Sequence, residues 1–273
     1  MIGQENIKAQ IKKWSKAKSF PRFIVITQRD GWGKRTLANE ICSAMGVTKI
    51  DCSCDVDSVR EVIKQAYTIT IPTAYIFANA HKMSLNAKNA LLKITEEPPN
   101  NARFILTSPS MSMLLETLGS RCVELHMEEY SVTELCEYEP KFDEYLAFCE
   151  CPGDIERVRS VDKQKMADYC NTLFTLFCNP HKLYSGIPLL NDIKYTDDDN
   201  GVYPLDNVLI GLKHIILLEA FNKMGNGTEE ELHWLTQAIT KLAELQHSLV
   251  TRNLNKKAAV LSYFLSLIDI GEV

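Results

Sequence analysis

The stretch AYIFANAHKMSLNAKNALLKITEEPP, residues 74–99, decides the fold of this chain. Residues 73–80 form an apolar run with the length of a buried parallel strand. Residues 84–97 follow with a helical pattern that Pro98 and Pro99 stop. A buried strand followed directly by a helix is the repeating unit of a parallel sheet, so we predict an α/β core around this stretch.

The same alternation continues on both sides of this stretch. Further strands are predicted at 22–28, 47–52, 102–109 and 122–127, and further helices at 6–18, 34–46, 55–67 and 112–118. After residue 129 the strand signals stop. Helices are predicted there at 131–139, 141–150, 153–162, 163–178, 204–224, 228–250 and 254–270, with 179–203 as a surface loop that carries the acidic run 197–199. The expected domains are an α/β core at 1–128, a small helical domain at 129–163 and a larger helical domain at 164–273.

Composition excludes several classes of protein. The chain has 273 residues, 45% hydrophobic and 24% charged, with a net charge of −5, which excludes disorder. Its apolar runs are shorter than the roughly 20 residues of a membrane helix, and the N-terminus lacks an apolar signal core, so we expect a cytoplasmic protein with no membrane partner. The nine cysteines are expected to be reduced, and Cys52/Cys54 and Cys149/Cys151 favour core positions over a metal site.

A degenerate phosphate-binding loop is predicted between the first strand and the second helix. TQRDGWGKRT, residues 27–36, contains Gly31, Gly33 and Lys34, but the P-loop pattern G-x-x-x-x-G-K-[ST] has only its Gly-Lys pair at the expected place. Arg35 replaces the Mg²⁺-binding hydroxyl, and Thr36 comes one residue too late. Lys34 could bind a phosphate or sulfate, or pair with Asp30 or another acid. Trp32, inside the loop, could fill the vacant pocket.

The strand opposite this loop ends without the acids of an ATPase. Ala78 and Asn79 stand where P-loop ATPases place the carboxylates that hold Mg²⁺ and activate water. Neither side chain can bind Mg²⁺ as a carboxylate or act as a general base.

Four motifs together resemble one family. Ile2-Gly3-Gln4, the 31–36 loop, NALLKITEEPP at 89–99 and LGSRC at 118–122 occur in the order found in clamp-loader AAA+ subunits of DNA polymerase III, bacterial or phage, and the delta-prime type is the most similar. The resemblance implies an AAA+ core, a helical lid and a helical collar that holds a ring together. It also implies ATPase subunits and a clamp-opening subunit as partners, with the sliding clamp and primer–template DNA reached through the complex.

The resemblance implies a role for Ser120, Arg121 and Cys122. In such rings the Ser-Arg-Cys motif presents an arginine finger to the ATP that a neighbouring subunit holds, and a planar guanidinium suits a γ-phosphate. We therefore expect Arg121 to act in trans, with Ser120 and Cys122 positioning it. The chain itself is expected to be no enzyme and to bind no cofactor, since ATP belongs to its neighbours.

Departures from the family pattern leave alternatives open. Residues 47–54 leave no room for the four-cysteine zinc module of bacterial relatives. Glu156 replaces the lid arginine that reaches the nucleotide, and Arg157 could substitute for it only with a shift of one position. The alternatives are a divergent but active ATPase and a structural AAA+ adaptor outside replication.

The lysines of the first helix, with Lys82, Lys88 and Lys93, could face DNA, although a solvated helix face is the simpler interpretation.

Overall fold

A computed structural model describes residues 1–178, 183–196, 198–252 and 254–271. The chain divides into two compact units, Met1–Glu134 and Leu135–Val273. The first unit contains the predicted α/β core. The second unit is mainly helical, and its division into a lid and a collar stays a prediction. His181 and the first residue of the acidic run, Asp197, lie outside the described residues.

The first unit alternates strands and helices as predicted. Its elements are α1 (Glu5–Ala17), β1 (Phe23–Thr27), α2 (Lys34–Met45), β2 (Thr48–Cys52), α3 (Val56–Thr68), β3 (Thr73–Phe77), α4 (Leu85–Glu96), β4 (Ala102–Ser108), α5 (Glu116–Gly119) and β5 (Val123–His126), and α6 (Val132–Tyr138) begins at its end. The five strands are all parallel, in the order β2-β3-β4-β1-β5. The α/β part of the predicted fold class is confirmed.

The core of the first unit lies on both faces of this sheet. The central strands β1 and β3 are fully buried, which accounts for their continuous apolar sequences. On one face Phe104 stacks on Phe23 and Tyr75, with ring centroids 4.7 and 5.5 Å apart, beneath α3 and α4. On the other face α2 contacts β1 and β4 and buries Leu37 and Ile41. This packing fixes the ends of β1 and β3, where the candidate site lies.

Local signals set the helix boundaries in this unit. The Asp55 carboxylate accepts a hydrogen bond from the Ser58 N–H at 2.8 Å and begins α3. Gly46 follows α2 with φ +65°, a left-handed conformation that glycine adopts without strain. The observed bounds of these two helices lie within one residue of the predicted ranges 34–46 and 55–67.

The second unit corrects two predictions. Its elements are α7 (Pro152–Val158), α8 (Lys163–Phe177), α9 (Leu183–Gly186), β6 (Ile193–Lys194), β7 (Tyr203–Pro204), α10 (Leu205–Lys223), α11 (Glu229–Thr251) and α12 (Lys256–Gly271), with α6 ending at Tyr138. The helix predicted at 141–150 is wrong, since only a 3₁₀ turn at Phe142–Glu144 forms. The surface loop predicted at 179–203 is also wrong where it is described, because it contains α9 and the paired strands β6 and β7 and buries Leu190.

No described helix is long and apolar enough to cross a membrane.

Candidate functional site

The loop between β1 and α2 supplies the oxygen atoms that contact Lys34, the first residue of α2. Lys34 is 7% exposed, and its ammonium group donates hydrogen bonds to the carbonyl oxygens of Gln28 at 2.5 Å and Arg29 at 2.9 Å. It also contacts the Asp30 carboxylate at 3.0 Å. Of the two partners predicted for Lys34, the structure supports the pairing with Asp30. The positive charge that a phosphate would need is therefore taken up by the loop.

The pKa of Asp30 depends on its burial and on its contact with Lys34. Burial raises its pKa, but the attraction and the hydrogen bond from Lys34 outweigh that effect, and the pKa of Asp30 is lowered. His81 lies close enough to feel both charges. Burial lowers the pKa of His81, and the opposing attraction to Asp30 only partly restores it. His81 thus lies beside the Asp30–Lys34 pair with its pKa lowered, a position that the sequence did not indicate.

Trp32 fills the centre of the loop. Its side chain is 3% exposed and lies 5.3 Å from the ring of Tyr130, centroid to centroid. The Tyr130 hydroxyl donates a hydrogen bond to the Trp32 carbonyl oxygen at 2.9 Å, and the Arg29 guanidinium lies 5.6 Å from the indole centroid. The interpretation of Trp32 as a plug agrees with this burial. Tyr130, 98 residues further along the chain, gave no signal in the sequence.

Two glycines allow this loop conformation. Gly31 has φ +92° and Gly33 has φ +85°, both in the region that favours glycine. With these two glycines flanking it, the Trp32 backbone turns so that the indole points into the protein. Arg35 and Thr36 follow in the first turn of α2, and Arg35 pairs at the surface with Asp51 at 3.2 Å.

The end of β3 carries no acid beside this loop. Ala78 and Asn79 follow the strand, and the Asn79 backbone has φ +59°. The Asn79 N–H donates a hydrogen bond to the Thr107 hydroxyl at 2.9 Å, and the Ala78 carbonyl oxygen accepts one from the Cys54 thiol at 3.1 Å. The structure thus brings Lys34, Asp30 and His81 together at this edge of the sheet. Over the described residues no cluster of three or more His, Cys, Asp or Glu side chains could hold a metal ion.

Arg121 lies in the turn between α5 and β5. Its side chain is 42% exposed, and its guanidinium donates a hydrogen bond to the Thr117 carbonyl oxygen at 2.8 Å. The Ser120 hydroxyl donates to the same carbonyl oxygen at 3.1 Å. Cys122 packs against the core, and burial raises the pKa of its thiol to about 12, so the thiol stays protonated. Ser120 and Cys122 therefore bracket Arg121 in a fixed turn.

Arg121 has one weak ionic contact. The Glu96 carboxylate lies 3.9 Å from the guanidinium, and both groups are largely exposed. An exposed ion pair at this distance contributes little, about 0–1 kcal/mol. The contact joins two of the motifs that were far apart in the sequence, residues 89–99 and 118–122. The guanidinium can leave Glu96 for a stronger anion at small cost.

The lid-type residues lie in the second unit. Glu156 accepts a hydrogen bond from the Tyr138 hydroxyl at 2.7 Å and pairs with Arg159 at 3.0 Å. Arg157 forms an ion pair with Asp154, which is fully buried, and lies 3.4 Å from Asp206. Arg157 is thus bound within its own unit, which weakens the interpretation that it replaces the lid arginine.

Comparison with known proteins identifies the relatives of this region. Residues 16–131 match the family model described as DNA polymerase III, delta subunit. The predicted resemblance to clamp-loader AAA+ subunits is confirmed. DNA polymerase III subunit tau of Bacillus subtilis is 28% identical over 153 residues, 45% of this chain and 27% of that protein. DNA polymerase III subunit delta' of Buchnera aphidicola subsp. Schizaphis graminum is 40% identical over 72 residues, 25% of this chain and 22% of that protein.

The similarity to these DNA polymerase III subunits is confined to part of each. The chain spans at most about a quarter of the length of the tau and gamma relatives that it matches first. Among solved structures, a DNA polymerase III gamma subunit-related protein of Thermotoga maritima aligns over 95% of this chain and 99% of that chain, with 14% identity and a TM-score of 0.45.

Proposed function

We propose that this chain is a subunit of a sliding-clamp loader that does not hydrolyse ATP and offers Arg121 to the ATP site of a neighbouring subunit. The single observation that carries the first part is the placement of the Lys34 ammonium group. Its contacts to the carbonyl oxygens of Gln28 and Arg29 and to Asp30 use the donors that a P-loop lysine directs to β- and γ-phosphates.

Two further features support the absence of hydrolysis. Ala78 and Asn79 provide no carboxylate for Mg²⁺ or for activating a water molecule. Trp32 is buried between the two glycines that would otherwise cradle phosphate oxygens with their N–H groups. A phosphate bound by Lys34 would have to replace its contacts to Gln28, Arg29 and Asp30. We therefore propose that no nucleotide binds in cis, and that ATP is held by the neighbouring subunits.

The surroundings of Arg121 support a role in trans. The guanidinium is exposed and donates a hydrogen bond to the Thr117 carbonyl oxygen. Leaving Glu96 would cost it only about 0–1 kcal/mol of free energy. Arginine is always charged and binds phosphate oxygens with two parallel donors. Ser120 and Cys122 fix the turn from which Arg121 extends. These properties fit a residue that reaches an anion on another molecule.

The second unit supports assembly. Leu217, Leu218, Phe221 and Met224 lie at helical spacing along and just beyond α10, and each is largely exposed. An apolar stripe of this kind marks a protein interface. We propose that this stripe is part of a collar that joins the chain to the ATPase subunits and the clamp-opening subunit. The sliding clamp and primer–template DNA are then reached through this complex, in the cytoplasm.

The test is reconstitution of the loader with the partner subunits from the same genome. Clamp- and DNA-stimulated ATP turnover is measured with the wild-type chain, with Arg121→Ala and with Arg60→Ala. Arg60 is a matched control, since it is exposed in the same unit and pairs weakly with Asp57 at 3.7 Å. We expect turnover to fall at least tenfold with Arg121→Ala only.

Each part of the proposal has its own contrary result. If Arg121→Ala assembles and turns over ATP as the wild type does, the trans role is wrong. If the isolated chain hydrolyses ATP, and Lys34→Met abolishes that activity, the chain is an active ATPase. If turnover does not require the chain at all, the adaptor alternative is favoured.

A further inference from the structure

Two arginines lie side by side at the amino-terminal edge of the parallel sheet, at the opposite end of β1 from the loop that holds Lys34. Arg22 precedes β1 and Arg103 lies in β4, and the register that pairs Phe23 with Phe104 makes the two arginines neighbours. The Phe104 N–H donates a hydrogen bond to the Arg22 carbonyl oxygen at 2.8 Å. Like charges at directly opposed strand positions are destabilising, so the second positive charge stands where electrostatics disfavours it.

No acidic side chain compensates this pair of charges. Over the described residues, no carboxylate oxygen lies within 4 Å of a nitrogen of either Arg22 or Arg103. Glu96, at the end of the helix that precedes β4, contacts Arg121 instead. Burial and the charge of Arg22 both lower the pKa of Arg103, yet an arginine stays charged near neutral pH. Two positive charges therefore stand together without a counter-charge in the part of the chain that the structure describes.

The two guanidinium groups use only part of their donors within the chain. Arg22 donates from Nη1 to the carbonyl oxygens of Pro98 and Pro99, at 2.9 and 2.7 Å. Its Nη2 donates to the Asn100 side chain at 2.9 Å. Arg103 donates from Nη1 to two backbone carbonyl oxygens at 2.9 Å each, and its Nη2 has no acceptor among the described residues. Because Arg103 is partly exposed, these remaining donors are open to an oxyanion from outside.

Two exposed apolar side chains border the same loop. Tyr67 and Ile71 are 55% and 62% exposed. The Tyr67 hydroxyl donates a hydrogen bond to a backbone oxygen of the loop at 97–102, at 3.1 Å. Asn101, in that loop, donates to the two carbonyl oxygens that precede Ile71, at 3.2 Å each. The loop thus joins the two arginines to an apolar border.

We propose that this arginine surface, Arg22 and Arg103 with Tyr67 and Ile71, binds an acidic segment of another protein that carries apolar side chains among its carboxylates. A guanidinium binds a carboxylate through two parallel hydrogen bonds. Arginine and tyrosine are enriched at protein interfaces, where they supply much of the binding energy. The apolar border favours a peptide over a free phosphate ion or a nucleic-acid backbone, which offer no aliphatic side chain to it.

The experiment titrates a fluorescein-labelled six-residue peptide, four glutamates and two leucines, with the full-length chain at 50 mM salt, followed by fluorescence anisotropy. The test variants are Arg103→Gln, Arg103→Lys and Ile71→Ser. The control is Arg60→Gln, which removes one positive charge from an exposed arginine whose contact to Asp57 measures 3.7 Å. Thermal unfolding verifies that each variant folds, and Ile71→Ser changes only an exposed side chain.

The variants have graded expectations. Arg103→Gln should weaken peptide binding at least tenfold, because it removes both the charge and the paired donors. Arg103→Lys should weaken it at least threefold, because an ammonium group keeps the charge but not the planar fork. Ile71→Ser should also weaken it at least threefold, and Arg60→Gln should leave it within twofold. The measurement uses neither ATP nor ring partners, so its failure leaves the proposed function intact.

Three results would overturn the proposal. The first is that the wild-type chain does not bind the peptide at 50 mM salt. The second is that Arg103→Gln and Arg60→Gln weaken binding equally, which would show a general charge effect. The third is that inorganic phosphate or a DNA strand of equal total charge displaces the peptide as well as unlabelled peptide does, which would assign the arginines to a different anion.

Discussion

A lysine at the start of a helix after a buried strand can satisfy its ammonium group with a bound anion or with nearby oxygen atoms of the chain. Lys34 does the second, and it does so with three oxygens from residues 28–30. Two of these are carbonyl oxygens of the loop backbone. The lysine therefore holds the loop in shape, in addition to any electrostatic role.

This placement leads to a prediction on stability. Lys34→Met keeps most of the buried stem but removes the donors, so the carbonyl oxygens of Gln28 and Arg29 lose a partner. We expect the free energy of unfolding to fall by about 1–3 kcal/mol, measured by urea unfolding followed by tryptophan fluorescence. The neighbouring Arg35→Ala is the control, because its pair with Asp51 is exposed and is worth about 0–1 kcal/mol. Equal stability of wild type and Lys34→Met would mean that the ammonium group does not hold the loop.

For single residues, the sequence predicted which residues of the ATPase pattern are replaced, but not which partners the remaining residues contact. The replaced residues, Ala78, Asn79 and Arg35, could be read by position. The contact of Trp32 with Tyr130 could not be predicted, because the two are 98 residues apart and meet only once the sheet has formed. The contact of Arg121 with Glu96 could not be predicted either, since Glu96 lies at the end of a different helix.

At the scale of elements, buried parallel strands and capped helices were predictable because their signals are local. The segment 141–150 shows where this fails. Phe142, Tyr145 and Phe148 are buried at a spacing of three residues, and the N–H groups of Tyr145 and Phe148 bond to oxygens three residues back, at 2.8 and 2.9 Å. That period suits 3₁₀-type turns better than an α-helix. Apolar spacing in a short window does not separate the two.

Packing between helices gives the second prediction. A Cβ atom on Gly211, in α10, would lie 2.9 Å from the Cys170 sulfur and 3.0 Å from the Phe148 ring. Overpacking costs about 1–3 kcal/mol, and the better helix propensity of alanine returns about 1 kcal/mol. We expect Gly211→Ala to lower the free energy of unfolding by about 1 kcal/mol, measured by urea unfolding.

Two comparisons make this prediction specific. Gly225→Ala should change stability little, or raise it, since a Cβ there meets nothing within 4 Å. In a Cys170→Ala background, the cost of Gly211→Ala should shrink because the clashing sulfur is gone. A cost that is unchanged in that background would locate the strain elsewhere.

At the scale of the whole molecule, the departures from the ATPase pattern lie in both units. In the first unit the loop is closed by Lys34 and Trp32. In the second unit Arg157 pairs with Asp154. The family model covers residues 16–131, which lie in the first unit, so the helical unit was predicted from its periodicity and from the resemblance that the motifs imply.

These features together predict how the purified chain responds to nucleotide. A ligand that binds only the folded state stabilises it by RT ln(1 + [L]/Kd), about 2.7 kcal/mol at a hundredfold excess over Kd. For 1 mM Mg²⁺–ATP and a Kd of 10 μM, that would raise the melting temperature by several degrees. We expect no shift for the wild-type chain, measured by calorimetry, and none for Arg121→Ala. A rise of several degrees that Lys34→Met abolishes would show that Lys34 leaves its carbonyl partners for a phosphate, and the closed-loop interpretation would then be wrong.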